Sequence, residues 1–571
     1  MSEMDSVVYD MANSSKEQPS IFVAKQWVNL LDEQNGSYGG GQSILSTSAI
    51  SNSSKYANWM ESYIHIPILM TLTSTLTDGT ALQTATNGGD FAYGLKSNVA
   101  NLIDSVSVEI NNSQVVQMSK MIGVYNNFKL LTSLNWNDVH GGLCSSYGFF
   151  PDNAKSLAFV DSSTASESGF GVSNNVNGLA FPNSTQKNVL DIANEGLLRR
   201  QQHDKYRPDA VTSSTTSAVT YGDLLSEANA KALYKSYVST RQNGGGSLMG
   251  GKAIHQTSIM GVVPLRNLHS LFQNLPLTKG TYIRLVMQIA NSSCTFTISS
   301  DKYSTATVAN PLNGVFPAVL ASTLVGSGGA ILPDDTYILS VAVGNKVLES
   351  AQAGAPDGTL ATGISLSVPT YVFQSVYESQ YISSSVKKVV YSDVYQYTIN
   401  NVSANANVNQ IITSGLAGAE EFVMVPYFNK SASGNCVSFD DLGSPFSSTG
   451  CGTLGSPLAH ITNFQISHAG ANVFYSTLKY GWENFLEHFY GISSVGAGLM
   501  NGVGGSLYNQ TTWELSPVFF GRLDRALPIE RDIPKSIGVQ FTNLSSRTCN
   551  YLIFVSYRQE IMIDVLTGSK I

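Results

Sequence analysis

Apolar and polar residues alternate along much of the chain, which is the pattern of β-strands with one buried face. Between Ser62 and Ser74, for example, isoleucines stand at positions 64, 66 and 68 with polar or small residues between several of them. The same period predicts strands in nine segments: Ser62–Ser74, Ile103–Val116, Thr281–Ser299, Thr336–Val347, Val389–Ile399, Phe422–Pro426, Ile461–Phe474, Ile537–Phe541 and Tyr551–Asp564.

One predicted hairpin occurs twice. In Ile103–Val116 the alternation is interrupted at Asn111-Asn112, and Asn tolerates the positive φ that a tight turn needs. The segment Ile103–Gly123 matches Ile461–Gly481 without a gap, at a spacing of 358 residues. Strand, turn, strand and short helix follow in the same order in both copies. Solenoid repeats recur every ~20–50 residues, so this spacing predicts a duplicated β-domain.

A second, shorter similarity relates Met287–Ile289 to Val539–Phe541. It supports two β-modules with the same topology. Helices are few and short. Many strands separated by Gly-, Asn- and Ser-rich loops are typical of sandwiches and barrels, so an all-β fold is predicted. The predicted helices are Met121–Leu134, Leu224–Tyr237, Leu265–Phe272 and Tyr480–Phe489.

The first 55 residues are polar and Gly/Ser-rich around one apolar island. Val23, Trp27, Leu30 and Leu31 have the spacing of one helical face, which predicts a short helix. The helix packs on its own core in one interpretation. In the other it belongs to an arm, over residues 1–55, that reaches a neighbouring subunit on a Gly-rich tether.

Residues of about 141–260 interrupt the strand rhythm and are rich in Ser, Asn, Thr and Gly. A stretch this long inside a β-domain predicts a surface insertion that lies outside the sandwiches. Deletion of Asp161–Asn177 is therefore expected to leave folding intact.

Composition narrows the functional classes. Charged residues make up only 13% of the 571 residues and hydrophobic residues 43%, which argues against disorder and suits a subunit with extensive interfaces. The net charge is −8 and no Lys/Arg cluster is visible, so no nucleic-acid site is predicted. The five scattered cysteines predict no disulfide framework. No secretory signal or membrane span is evident, since Pro, Gly and Ser interrupt the stretch Val315–Leu332.

Two sequence features invite a search for ligand sites. Gly246–Lys252 fits G-x4-G-K, but Ala253 supplies no hydroxyl for a metal and no buried strand precedes the loop, so a flexible loop is favoured. A zinc site is disfavoured because no C-x2-C pair is present. Its candidate ligands would be Cys436, Cys451, His460 and His468.

The remaining charged pairs favour structural roles. Arg199-Arg200 reads as a salt-bridged anchor for the insertion. Adjacent carboxylates on a strand point to opposite faces and do not converge on one substrate. These pairs are Asp334-Asp335, Glu420-Glu421 and Asp440-Asp441. The sequence predicts no catalytic, cofactor-binding or metal site, no cofactor and no enzyme.

An ordered set of segments resembles the major capsid proteins of polinton-like viruses and virophages. Each segment alone is a packing or turn pattern, and the order of the whole set carries the resemblance. It covers most of residues 60–140 and 260–571. The segments are Leu275–Leu285, Val368–Tyr381, Lys387–Tyr397, Ile461–Ile466, Asn472–Phe474, Glu483–Leu486, Asp532–Gln540, Tyr557–Ile561 and Asp564–Gly568.

The resemblance implies a double jelly roll, that is, two tandem eight-stranded jelly rolls with a few short helices and long loop insertions. The expected division is an arm over residues 1–55, a first jelly roll over 56–382 that contains the insertion, and a second over 383–571. The implied function is a structural one. Three subunits would form a pseudo-hexameric capsomer, and capsomers would tile the icosahedral shell of a DNA virus.

The implied partners are further copies of the chain in the trimer and between capsomers, with penton and minor or cement capsid proteins. The implied location is the virion, after synthesis in a host cell. Two alternatives stay open on the sequence. One is a carbohydrate- or receptor-binding β-sandwich, and the other is a hydrolase on a β-scaffold, which would need two carboxylates ~5–10 Å apart. The oligomeric state separates the capsid subunit from both.

Overall fold

The computed structural model shows a protein built mainly from antiparallel β-sheets. It describes residues 20–34, 36, 38, 41–74, 91–96, 98–135, 138–139, 149–150, 159–161, 186–188, 254–299, 302–309, 316–322, 335–343, 363–428, 455, 459–490, 507–523, 532–545 and 547–571.

The strands of the first half belong to two facing sheets and to two separate two-stranded sheets. In chain order they are β1 (Phe22–Leu31), β2 (Gln42–Ser46), β3 (Tyr56–Ala57), β4 (Tyr63–Ser74), β5 (Phe91–Leu95), β6 (Ile103–Ile110), β7 (Ser113–Ser119), β8 (Phe159–Asp161), β9 (Gln186–Asn188), β10 (Ile254–Pro264), β11 (Ile283–Ile289), β12 (Ser292–Ser299), β13 (Lys302–Ala309), β14 (Ala318–Ser322), β15 (Asp335–Val343) and β16 (Ser365–Phe373).

Eight of these strands form the first sandwich. One sheet has the order β1-β16-β4-β10 and the other the order β2-β11-β6-β7. The long strand β4 pairs with β10 along one edge. Along its other edge, β4 pairs first with β16 and then with β15. Strands β15, β12 and β13 therefore extend the first sheet beyond the sandwich. Alternate residues such as Ile64, Val108 and Leu285 point inward and are buried.

Among its described residues, the second half has eight strands, all of which belong to its two sheets. They are β17 (Val386–Val402), β18 (Asn407–Leu416), β19 (Ala419–Phe428), β20 (Ile461–His468), β21 (Ala471–Asn472), β22 (Phe519–Arg522), β23 (Lys535–Asn543) and β24 (Cys549–Asp564). One sheet has the order β17-β24-β19-β22 and the other β18-β23-β20-β21.

The two halves share one topology. If the eight sandwich strands of each half are counted along the chain, one sheet reads 1-8-3-6 and the other 2-7-4-5 in both halves. This interleaving of chain ends and middle is the jelly roll. The predicted all-β double jelly roll is therefore confirmed.

The helices among the described residues are short. They are α1 (Ser48–Ser51), α2 (Ile122–Ser133), α3 (Leu265–Leu268), α4 (Leu271–Asn274), α5 (Ser375–Ile382), α6 (Trp482–Phe485) and α7 (Gln510–Leu515), with a 3₁₀ turn at Val99–Leu102 and a π-helical turn at Leu486–Tyr490. Three of the four predicted helices are thus confirmed, and the fourth, Leu224–Tyr237, lies outside the described residues.

The repeated hairpin is confirmed at the residue level. Strands β6 and β20 begin and end 358 residues apart, and β7 and β21 begin at the same spacing. Both turns use two residues with positive φ, Asn111 and Asn112 in the first copy and Ala469 and Gly470 in the second. A helix follows each hairpin, α2 in the first copy and α6 in the second.

The shorter similarity identifies equivalent strands with a shift of two residues. Ile289 of β11 lies opposite Ile103, and Asn543 of β23 lies opposite Ile461. The true equivalence therefore joins Ile289 to Asn543. A shift of two residues along a strand keeps each side chain on the same face of the sheet. The two segments therefore have the same inward-facing pattern, which makes their similarity visible in the sequence.

The predicted helix around Trp27 is wrong. Residues 22–31 form β1, which pairs antiparallel with β16 and places Leu31 opposite Ser365. Val23, Trp27 and Leu31 are exposed on the outward face, whereas Leu30 is buried on the inward face. Two apolar faces of one strand together imitate helical spacing. Because β2 also joins the other sheet, residues 22–46 contribute strands to both sheets of the first jelly roll.

Little of the predicted insertion is described. Two short strands, β8 and β9, pair with each other. The end of the expected range is not a loop, because β10 begins at Ile254 and pairs with β4. Most of the segment Asp161–Asn177, and thus the outcome of its deletion, lies outside the described residues.

Candidate functional site: the junction between the two jelly rolls

The open edge of β17 lies against the first jelly roll, which supplies side chains to its backbone. Ser270 Oγ donates to Ser392 O at 2.6 Å and accepts from Ser392 N–H at 3.0 Å. Asn274 Nδ2 donates to Val390 O at 2.8 Å, and Ser119 Oγ donates to Val394 O. An uncovered strand edge pairs non-specifically with other chains, so these groups make a specific contact from an otherwise reactive edge.

A buried carboxylate lies at the centre of the junction. Asp393 is 3% exposed and accepts from Tyr557 Oη at 3.0 Å and from its neighbour Val394 N–H at 2.8 Å. From the first jelly roll, Gln117 N–H donates to the same carboxylate at 3.5 Å, and His269 Nε2 lies 3.4 Å from Oδ1. Hydrogen bonds from both jelly rolls thus converge on one side chain, which offsets the cost of its burial.

The two ring nitrogens of His269 have different partners in this cluster. Leu271 N–H donates to His269 Nδ1 at 3.1 Å, so the ring proton is on Nε2 and points to Asp393. Burial, with the nearby Asp393, raises the pKa of both Tyr391 and Tyr557. Both hydroxyls therefore stay protonated donors, Tyr391 to Val115 O across the junction and Tyr557 to Asp393.

Helix α2 packs on the outer face of the second jelly roll. The Tyr125 ring lies 5.6 Å from the Phe554 ring, and Lys129 Nζ lies 2.6 Å from Glu421 Oε2. The Phe128 ring lies 6.4 Å from the ring of Phe485 in α6 and 5.4 Å from the ring of Phe489 in the π-helical turn that follows it. The helices of the two repeats therefore touch, and one of them also covers a sheet.

The C-terminal turn forms a second contact between the halves. Lys279 N–H donates to Val565 O at 2.8 Å. Gly568 has φ +65°, and a Cβ at this position would lie 2.1 Å from Thr281 Oγ1 and 2.4 Å from its Cα. Only glycine fits there, so the chain end is held against the start of β11.

The residues considered for chemistry are not brought together. His460 precedes β20 and His468 ends it, so they lie roughly 25 Å apart along a strand. Cys294 and Cys549 are buried, and the Cys549 thiol donates to Tyr427 O at 3.4 Å. The other candidates, Gly246–Lys252, Ala253, Arg199, Arg200, Asp334, Asp440, Asp441, Cys436 and Cys451, lie outside the described residues.

One carboxylate pair does have a described role. Glu421 pairs with Lys129, and Glu420 Oε2 accepts from Ser392 Oγ at 3.1 Å, so both belong to the junction. The register shift between Ala419 and Glu421 explains why neighbours on one strand contribute to the same surface. Within the described residues, no cluster of three or more potential metal ligands occurs, and no helix is long and apolar enough to cross a membrane.

A scan of the sequence against protein-family models and a search of curated proteins both find no match. Several solved structures resemble the chain along nearly its whole length. A chain in the cryo-EM structure of the Sputnik virophage has 12% identity and a TM-score of 0.47, covering 98% of this chain and 89% of that chain. The mavirus major capsid protein has 8% identity and a TM-score of 0.41, covering 97% and 91%. The Faustovirus major capsid protein has 10% identity and a TM-score of 0.39, covering 96% and 91%.

The fold that the sequence resemblance implies is the one shown by the strand order of this chain itself. The functional conclusion rests on the two jelly rolls of this chain and the junction between them. Sequence reasoning missed that junction, because Asp393, His269 and Ser119 are distant in the chain and belong to no motif. The only available signal was the polar residues Ser392 and Asp393 inside an otherwise apolar strand pattern.

Proposed function

We propose that the protein is the major capsid subunit of a DNA virus. Three copies would form a pseudo-hexameric capsomer, and capsomers would tile an icosahedral shell. The observation that carries this proposal is the junction, in which two jelly rolls of identical topology are joined side by side by buried hydrogen bonds. A trimer of such chains presents six similar jelly rolls, which is the shape of a six-cornered tile.

The surface chemistry supports the same function. Only 13% of the residues are charged, about half the usual ~25% for soluble proteins. Interfaces that persist are depleted of charged residues at their centres. A subunit enclosed by neighbours on several sides needs few charges to remain in solution.

The proposal extends to domains, partners and location. We place the start of the first jelly roll at β1, the boundary between the jelly rolls in α5, and the second jelly roll from β17 to the C-terminus. The partners are other copies of the chain, with penton and minor or cement proteins, and the location is the virion. No catalytic role is proposed.

Size-exclusion chromatography with light scattering of the purified full chain is the first test. We expect a stable species of three times 61.2 kDa. Electron microscopy of the assembled material should then show closed shells with six-cornered capsomers. A monomer that forms no shell under any assembly condition would contradict the proposal and favour a binding protein.

A further inference from the structure

The duplicated hairpin and helix contact the other jelly roll in the first copy. This contact involves the backbone of β7, a hydroxyl at its end and two side chains of α2. The residues are Gln117, Ser119, Tyr125 and Lys129, whose partners in the second jelly roll are Asp393, Val394, Phe554 and Glu421.

In the second copy, the side of the hairpin and helix that corresponds to this contact is not covered by any described residue. At the spacing of 358 residues, the four positions correspond to Tyr475, Thr477, Glu483 and Glu487, and all four are exposed. Tyr475 is fully exposed at 106%. Glu483 and Glu487 form no ion pair with any described residue. We call these four residues the second hairpin–helix surface.

The edge strand β1 of the first jelly roll corresponds to β17, and no described residue covers its open edge. β17, the first strand of the second jelly roll, has its open edge covered by Ser119, Ser270 and Asn274. β1 holds the same position in the first jelly roll, and along the described chain it pairs only with β16.

The backbone of β1 offers groups for a partner on that edge. Asp32 N–H donates to Ile364 O at 3.0 Å, so alternate residues back from Asp32 bond to β16. The N–H and C=O groups of Lys25, Trp27, Asn29 and Leu31 therefore lie on the open edge. On the face they share, Val23 is 71%, Trp27 47% and Leu31 63% exposed. We call Val23, Lys25, Trp27 and Leu31 the β1 face.

We propose that the β1 face of one subunit packs against the second hairpin–helix surface of another copy of the same chain. This contact repeats between subunits the junction that joins the two jelly rolls within a subunit. It rests on the proposed trimer and assigns the residues of its interface.

The chemistry of the two surfaces is complementary. Thr477 carries a hydroxyl where Ser119 carries the one that donates to the edge of β17. Tyr475 offers an aromatic ring to the exposed Trp27 and Val23. The β1 face carries the cation of Lys25, which pairs with Glu61 of its own chain at 2.6 Å, and the second hairpin–helix surface carries the carboxylates of Glu483 and Glu487. An exposed apolar strand edge is otherwise an aggregation hazard, and this contact covers it.

The proposed contact joins two different surfaces, so it is heterologous. A heterologous contact generates a ring when its rotation closes. Each chain carries one β1 face and one second hairpin–helix surface. In a ring of three chains, three junctions within chains would therefore alternate with three contacts between chains.

The test uses two full-length variants, Trp27→Asp and Tyr475→Asp, which place a charge on one surface each. Ile411→Asp is the matched control, because Ile411 is 68% exposed on β18, away from both surfaces. Circular dichroism and thermal unfolding check that each variant is folded. Mass photometry and light scattering measure the oligomeric state.

We expect each variant to lower trimer association by at least about tenfold per junction, as for an interfacial hot spot, while the control stays trimeric. A mixture of the two variants is the decisive sample. The intact β1 face of Tyr475→Asp can bind the intact second surface of Trp27→Asp, so the mixture should form one-to-one heterodimers and no trimers.

Three outcomes would overturn the inference. A folded Tyr475→Asp that remains trimeric removes the second surface from the interface, even if Trp27→Asp fails to fold. A folded Trp27→Asp that remains trimeric does the same for the β1 face. Monomeric variants that give no heterodimer show that the two surfaces do not bind each other. In each case a trimeric wild type leaves the capsid function standing, whereas a monomeric wild type removes both proposals.

Discussion

Asp393 shows how one residue can join two domains. Its carboxylate accepts hydrogen bonds from its own jelly roll through Val394 and Tyr557, and from the other through Gln117. A buried carboxylate is costly unless each of its neighbours donates to it. The second jelly roll is thereby matched to the first by polar geometry as well as by apolar area.

Replacement of Asp393 should destabilise the protein strongly. In Asp393→Ala, the Tyr557 hydroxyl and the His269 Nε2–H lose their buried acceptor, and at about 1–3 kcal/mol for each unsatisfied donor we expect a loss of about 2–5 kcal/mol in the free energy of unfolding. Tyr557→Phe removes one donor to the carboxylate and should cost about 1.5–3 kcal/mol. Urea denaturation measures both.

The control for these two variants is Glu560→Ala. Glu560 forms exposed ion pairs with Lys388 and Arg558, which contribute about 0–1 kcal/mol. If Asp393→Ala were no more destabilising than Glu560→Ala, the buried cluster would not anchor the junction.

At the element scale, the sequence predicts most strands because their inward faces alternate. It misleads at β1, where the outward face is also apolar and the sum of Leu30 with Val23, Trp27 and Leu31 imitates a helix. It predicts the repeated hairpin well, since turn and register are local. The junction could not be predicted, because the pairing of Ser119 with Val394 and of His269 with Asp393 depends on packing between distant segments.

The two equivalent turns predict a stabilising substitution. Ala469 has φ +54°, a conformation that costs a residue with a Cβ about 1 kcal/mol and that Asn tolerates better. Ala469→Asn copies Asn111 of the first hairpin and should stabilise the protein by up to about 1 kcal/mol in thermal or urea unfolding. The opposite type of replacement at the second turn position of the first hairpin, Asn112→Ala at φ +64°, should destabilise the protein by a similar amount. Equal stabilities for all three proteins would contradict a left-handed turn in both copies.

At the scale of the whole molecule, hydrogen bonds and apolar contacts make up most of the junction, with the buried Asp393 carboxylate at its centre. Asn274, Ser119 and Tyr391 bind backbone carbonyls of the opposite jelly roll, and Lys129–Glu421 is an ion pair that crosses the same junction. The proposed interchain contact is also mainly apolar, with Trp27, Val23 and Tyr475 and few charged groups. Assembly should therefore depend little on electrostatics.

Raising NaCl to ~1 M should leave the trimer intact. At that concentration the Debye length is ~3 Å, so exposed ion pairs such as Lys25–Glu61 are screened while apolar burial is not weakened. Light scattering of one sample at ~0.1 M and ~1 M NaCl measures the effect, with urea as the control that should dissociate the trimer by solvating apolar groups. Because the same subunit concentration is used throughout, mass action cannot account for a difference. Dissociation into monomers by salt alone would show that charge pairs, rather than the β1 face, hold the subunits together.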